Sequence, residues 1–158
     1  ADLKRAWRGQ LTGVVSVLPW IATVDAFQLW LYEHPTHARE ERTAAWVSLM
    51  ERFGHDVDWS GLEHVRASLW HRQLHIFTAP LYYVEYGIAQ LGALQLWDVM
   101  RQKGLDQALD GYRRGLSLGG SRPLPDLFEA AGVRFDFSSA TVSRLMRSVR
   151  EELGALPE

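Results

Sequence analysis

Two histidines, His71 and His75, stand four residues apart in the stretch HRQLHIFTAPLYYVEYG, and Tyr82, Tyr83 and Tyr86 follow within a five-residue window. On a helix an i, i+4 pair of imidazoles points one way, as in the zinc motif H-E-x-x-H. Here the second position is Arg72, so the carboxylate that would act as general base is missing and a cation takes its place. Two histidines also leave zinc short of the third protein ligand that a catalytic site needs. The tyrosines offer different chemistry. On a helix Tyr83 and Tyr86 lie about 60° apart, and Tyr82 and Tyr86 about 40° apart, so either pair can share a face. A phenol, with a pKa of about 10, remains a donor at neutral pH and can stabilise a developing oxyanion. By spacing alone the plainer reading is a set of core aromatics whose hydroxyls find local partners.

The other polar candidates are weaker. His34 and His37 form the run HPTH, interrupted by Pro35, while His55 and His64 carry no motif and are expected in solvent. Asp25 and Gln28 sit in an otherwise apolar stretch, where an unpaired polar group is costly. They are expected to find a local buried hydrogen bond, with a supporting role beside a metal site as the other reading. The LGGSR stretch lacks the lysine of a phosphate loop. Arg144, Arg147 and Arg150 read as a solvated helix face.

The elements that must position these residues are helical. The 158 residues suit one domain with a sizeable core, and a hydrophobic share of 47% with 23% charged residues argues against disorder. A net charge of −2 gives no global field to recruit nucleic acid. Cysteine is absent, which excludes disulfides and thiolate metal sites and fits a reducing compartment; the expected location is the cytoplasm. The start, ADLKRAWRGQ, is too charged for a signal peptide. The window from Gly13 to Tyr32 is long and apolar enough to resemble a membrane span, but it holds Pro19, Asp25 and Gln28. An aspartate near a bilayer centre costs roughly 2.5–3.5 kcal/mol, so a buried helix is the expectation.

Pro19 is expected to open a helix carrying Trp20, Val24, Phe27 and Leu31, ending near His34-Pro35. Thr36 is placed to cap the next helix, whose stripe is Trp46, Leu49, Met50 and Phe53 and whose stop is Gly54. A helix from about Leu62 to His75 follows, then an irregular segment at Pro80 and a helix from Tyr82 to Arg101, apolar nearly all round and so buried. Shorter helices are expected from Asp106 to Leu116, Asp126 to Ala131 and Thr141 to Leu153. No stretch alternates as a strand does, and the fold class is all-α. The seven tryptophans, spread along the chain, suit core anchors for several helices. Leu3, Ala6, Trp7 and Leu11 already read as helix with no cap ahead, so the chain is expected to begin inside an element of something longer.

Three blocks carry a family resemblance: LPWIATVDAFQLWLYEHPTHAREER, ASLWHRQLHIFTAPLYYVEYGIAQLGALQLW and YRRGLSLGGSRPLPDLFEAAGVRFDF. In this order, over nearly the whole chain, they resemble the C-terminal part of the oligoendopeptidase F family of zinc metallopeptidases, relatives of thimet oligopeptidase. The resemblance implies that residues 1–158 form a single α-helical segment, the C-terminal portion of a longer catalytic domain that cuts internal bonds of short peptides in a deep channel. In such enzymes an H-E-x-x-H helix and a downstream glutamate hold zinc. A histidine and two tyrosines from the C-terminal part donate hydrogen bonds to the scissile carbonyl or the substrate backbone.

Carried over, that histidine matches His75 and the tyrosines match Tyr83 and Tyr86, with Tyr82 as a near-register rival on the substrate-binding side. The chain departs from the family in one respect: H-E-x-x-H occurs nowhere in it. The implied zinc therefore belongs to the full-length parent, and none is expected to be held here. The implied partners are an oligopeptide substrate and the missing N-terminal zinc-binding part, with no nucleic acid and no membrane. Alone, the chain is expected to be inactive. The rival expectation is a non-catalytic peptide-binding or interaction module, or one half of a split peptidase.

Overall fold

The computed structural model describes residues 2–157, which form eight α-helices and one short 3-10 turn, with no strand among the described residues. The all-α expectation holds. Helix α1 (Asp2–Glu33) runs for 32 residues with Pro19 inside it, not at its start. A proline in a helix interior lacks a donor and crowds the carbonyl four residues back, at a cost of about 3 kcal/mol. Burial just beyond it offsets this: Ile21 is 5% exposed, and Val24 and Phe27 are fully buried. Each such side chain contributes roughly 1.5–3 kcal/mol. The Pro19 carbonyl also accepts the Thr23 hydroxyl at 2.9 Å. By length and composition α1 could cross a membrane, but here its inner face is packed.

Helix α2 (Arg39–Phe53) starts three residues after the expected cap. Glu41 supplies the satisfaction assigned to Thr36, its Oε2 accepting the Ala38 backbone N–H at 2.7 Å. Gly54 ends α2 by donating to the Met50 carbonyl at 2.9 Å. The helix expected from Leu62 to His75 is broken. It consists of α3 (Glu63–Ser68), a 3-10 turn (Leu69–Arg72) and, after an extended Gln73, helix α4 (Leu74–Thr78). The reason lies in the core. Trp70 and Ile76 belong to one buried cluster, yet on an unbroken helix residues six apart would point about 120° away from each other. Tightening the turn and extending Gln73 brings both inward.

Helix α5 (Val84–Lys103) begins after Tyr82 and Tyr83, which lie in the turn ahead of it. It is not buried all round, since Ala89 and Ala93 face outward. Helices α6 (Leu105–Ser117), α7 (Leu124–Ala130) and α8 (Ser139–Ala155) lie within two residues of their expected bounds.

The chain divides into two compact units. One comprises Val15–Gly87 and the other the residues through Val14 together with those from Ile88 on. In the Val15–Gly87 unit, Val24, Phe27, Trp46, Trp70 and Ile76 form the core, flanked by Trp20, Trp30, Leu31 and Tyr83. Phe27 sits at its centre, with ring centroids 5.1 Å from Trp46 and 5.5 Å from Trp70. The Trp46 indole N–H donates to the Arg66 carbonyl at 2.9 Å, so the largest buried ring leaves no orphaned donor.

The other unit is held by two polar devices that its sequence pattern conceals. Asp98, 4% exposed, accepts Gln102 Nε2 at 3.0 Å, Ser148 Oγ at 3.1 Å and the Arg144 guanidinium, tying α5 to α8. Arg144 is thus an ion-pair partner rather than part of a purely solvated stripe. The Gln95 carboxamide donates to the Arg134 carbonyl at 2.8 Å and accepts its N–H at 3.0 Å, clamping the segment before α8. Helices α6 and α7 approach through Gly111, where a Cβ would stand 2.3 Å from the Ala131 carbonyl oxygen.

Candidate active site

The Val15–Gly87 unit brings His75, Tyr82, Tyr83 and Tyr86 together. His75 lies on α4, Tyr86 on the first turn of α5, and Tyr82 and Tyr83 in the turn that joins them. Pro80 excludes a continuous helix, and Leu81 takes the left-handed conformation with φ 55°. Such a backbone costs a non-glycine residue about 1–3 kcal/mol and persists only where its surroundings over-determine it. The turn is closed by Tyr82 N–H to the Ala79 carbonyl at 3.2 Å and Glu85 N–H to the Tyr82 carbonyl at 3.0 Å.

This reversal folds the tyrosines back onto the histidine. His75 Nε2 lies 3.1 Å from the Tyr86 hydroxyl. The His75 ring meets Tyr83 edge-on at 5.0 Å and Tyr86 edge-on at 5.6 Å, and lies parallel to Tyr82 at 6.1 Å. Tyr83 and Tyr86 are 5.2 Å apart, ring to ring. Tyr83 is half-buried and packs on the core, whereas Tyr82 and Tyr86 are 49% and 45% exposed. The cluster is therefore anchored on its inner side and open on its outer side. Phenol groups held this way can present donors to an oxygen arriving from solvent.

The i, i+4 premise for His71 and His75 fails, because Gln73 separates their elements. His71 is exposed and lies against Trp70, with centroids 4.0 Å apart. A zinc ion does not fit the donor set: His75 Nδ1 is buried, its Nε2 faces the Tyr86 hydroxyl, and no group of three or more His, Asp or Glu among the described residues could hold a metal. His34 and His37 belong to a separate cluster around Trp30, and the Arg42 guanidinium lies 3.2 Å from His37 Nε2.

Gln28 finds a buried hydrogen bond, but to a residue 47 positions away rather than the local partner expected of it. It is fully buried, and its Nε2 donates to the His75 carbonyl at 3.5 Å. Asp25, one turn earlier on α1, is partly buried, and burial pushes its carboxyl above the ordinary range. Sequence reasoning singled out His75 and the tyrosines, which the structure brings together, but missed Leu81. No sequence pattern marks a leucine for positive φ; the only local signal was Pro80 beside it.

The family model described as Peptidase family M3 matches residues 4–147. Among solved structures, one provisionally named as an oligoendopeptidase F is 29% identical to this chain, with a TM-score of 0.84. The similarity covers 98% of this chain and 27% of that one, so this chain spans about a quarter of its length. No curated protein matches.

Proposed function

Given that this chain belongs to peptidase family M3, we propose that it is the C-terminal part of a zinc-dependent oligoendopeptidase and supplies the substrate-side wall of the active site. In this reading the metal and the general base belong to the remainder of the parent. The residues of this chain act on the peptide. Tyr83 and Tyr86 donate to the scissile carbonyl oxygen as it gains negative charge, His75 supports them or the substrate backbone, and Tyr82 flanks the peptide. Donors already oriented before the reaction stabilise the transition state without reorganisation, which is why they act on kcat. Internal bonds of short peptides are the substrate class, and the chain alone is inactive.

The observation that carries this reading is the convergence of His75, Tyr83 and Tyr86 around a strained turn, half open to solvent. The test is Tyr86→Phe in a full-length peptidase bearing this segment. The expected loss is on the order of 10²–10³ in kcat with KM little changed; an unchanged kcat would return the cluster to a structural role.

A second reading draws on the apolar surface beside the cluster, where Leu74, Phe77 and Tyr82 are 67%, 56% and 49% exposed. It is a non-catalytic peptide-binding or interaction module, or one half of a split peptidase. Mixing the chain with a separately produced zinc-binding part distinguishes them: recovered peptidase activity supports a split enzyme, and peptide binding without it supports the module.

A further inference from the structure

Two polar atoms beside the cluster, Nδ1 of His75 and Oε1 of Gln28, are buried and have no partner among the described residues. Gln28 lies on α1, 47 residues from His75, and among the described residues the one hydrogen bond of its side chain is the 3.5 Å contact from Nε2 to the His75 backbone carbonyl. That contact is long for an N–H···O bond, whose usual length is about 2.9–3.0 Å. The carboxamide thus already reaches His75, through a contact at the long end of the hydrogen-bond range. The two orphans are complementary, since an imidazole nitrogen can carry a proton and a carboxamide oxygen can only accept one. Each is costly to leave unpaired in the interior, and one hydrogen bond satisfies both.

We propose that Gln28 is the positioning residue for His75, its Oε1 accepting the Nδ1–H of the imidazole while its Nε2 holds the backbone carbonyl of the same residue. The proposal rests on the reading of His75 as part of the substrate-side site. It has a chemical consequence. The hydrogen bond made by one ring nitrogen sets the state of the other. With the proton held at Nδ1, the neutral ring leaves Nε2 bare, and without substrate the 3.1 Å contact runs from the Tyr86 hydroxyl to His75; the phenol has a single proton, so it turns from Nε2 to the scissile oxygen when a peptide binds. Gln28 therefore orients both the ring and the Tyr86 hydroxyl, and His75 becomes a donor through Nε2 only when it carries a second proton.

The test reads the tautomer directly, by proton–nitrogen correlation NMR of the histidine-labelled chain at a pH where imidazoles are neutral. The His75 signals are identified by their loss in His75→Gln. The wild type should show one fixed tautomer with the proton on Nδ1. In Gln28→Met, which keeps the length and removes the polar atoms, the fixed tautomer should be lost and the Nδ1 signal should move toward that of a bare nitrogen. Gln28→Glu keeps an acceptor and should retain the Nδ1 proton. A wild-type ring protonated on Nε2, or an Nδ1 proton that persists in Gln28→Met, overturns the proposal. If circular dichroism shows Gln28→Met unfolded, the wild-type tautomer decides alone. Because this readout needs neither substrate nor metal, it can fail while Tyr86→Phe still lowers kcat, and the reverse.

Discussion

His75 Nε2 and the Tyr86 hydroxyl meet at 3.1 Å across eleven residues of chain, joined through a turn in which Leu81 adopts a left-handed backbone. The two side chains come from different helices, so their contact reports the conformation of the whole segment between them. Whatever disturbs the turn disturbs the site.

The register of the tyrosines follows from this geometry. Tyr83 meets both His75 and Tyr86 edge-on, whereas Tyr82 lies parallel to His75 on the exposed side. In a full-length peptidase bearing the segment, Tyr83→Phe should lower kcat by on the order of 10²-fold, and Tyr82→Phe should act mainly on KM. Steady-state kinetics with an internally quenched peptide measures both. The opposite pattern would move the donor to Tyr82.

The strain at Leu81 can be probed by shape. A β-branched residue is a genuine outlier at positive φ, so Leu81→Ile should destabilise the chain by about 1–2 kcal/mol. Leu81→Gly relieves the strain at an entropic cost of similar size and should fall within about 1 kcal/mol of wild type. Urea unfolding followed by tryptophan fluorescence distinguishes them. Equal losses in both would mean that the leucine side chain matters more than its backbone.

The α5–α8 lock should be asymmetric. Arg144→Ala removes a half-exposed cation but leaves the carboxylate of Asp98, 4% exposed, with only Gln102 and Ser148. A loss of about 1.5–3 kcal/mol is expected in unfolding experiments. The double change Asp98→Asn with Arg144→Ala should recover part of it, because the stranded charge is gone. A double variant less stable than Arg144→Ala would count against that account.

Asp136 should give the region before α8 a pH dependence. The Thr141 hydroxyl first, then the Ser138 backbone N–H, hold its carboxyl below the ordinary carboxylate range. For an acid with a lowered folded-state pKa, the stability contribution is complete above the ordinary range and is lost as pH falls through the lowered value. Asp136→Asn should therefore lower the melting temperature at pH 7, with a penalty that shrinks as pH falls below the ordinary carboxylate range. A penalty that stays constant with pH would point to packing instead.

Much of the candidate site was legible because it is local. His75, Tyr83 and Tyr86 lie within one short stretch, and the resemblance carried by that stretch named them before their geometry was visible. The geometry assumed for them was another matter. Helical spacing paired His71 with His75, but the need to bury both Trp70 and Ile76 broke that helix and turned the two histidines apart. The tyrosines converge because a left-handed leucine reverses the chain, not because they share a helix face.

By itself the sequence determined the all-α class, most helix positions and the family, since these rest on periodicity, local propensity and motif order along one chain. Pro19 shows where such signals stop. As a helix opener it is a sound local inference, but burial of Val24 and Phe27 on the far side outweighs the cost of carrying it inside α1. Likewise Gln28 and Asp98 could be recognised only as polar residues in apolar surroundings. Their partners, His75 at 47 residues' distance and Arg144 at 46, were chosen by packing. A buried polar group must find a complement somewhere; the sequence states the need, and only the tertiary structure decides which distant residue meets it.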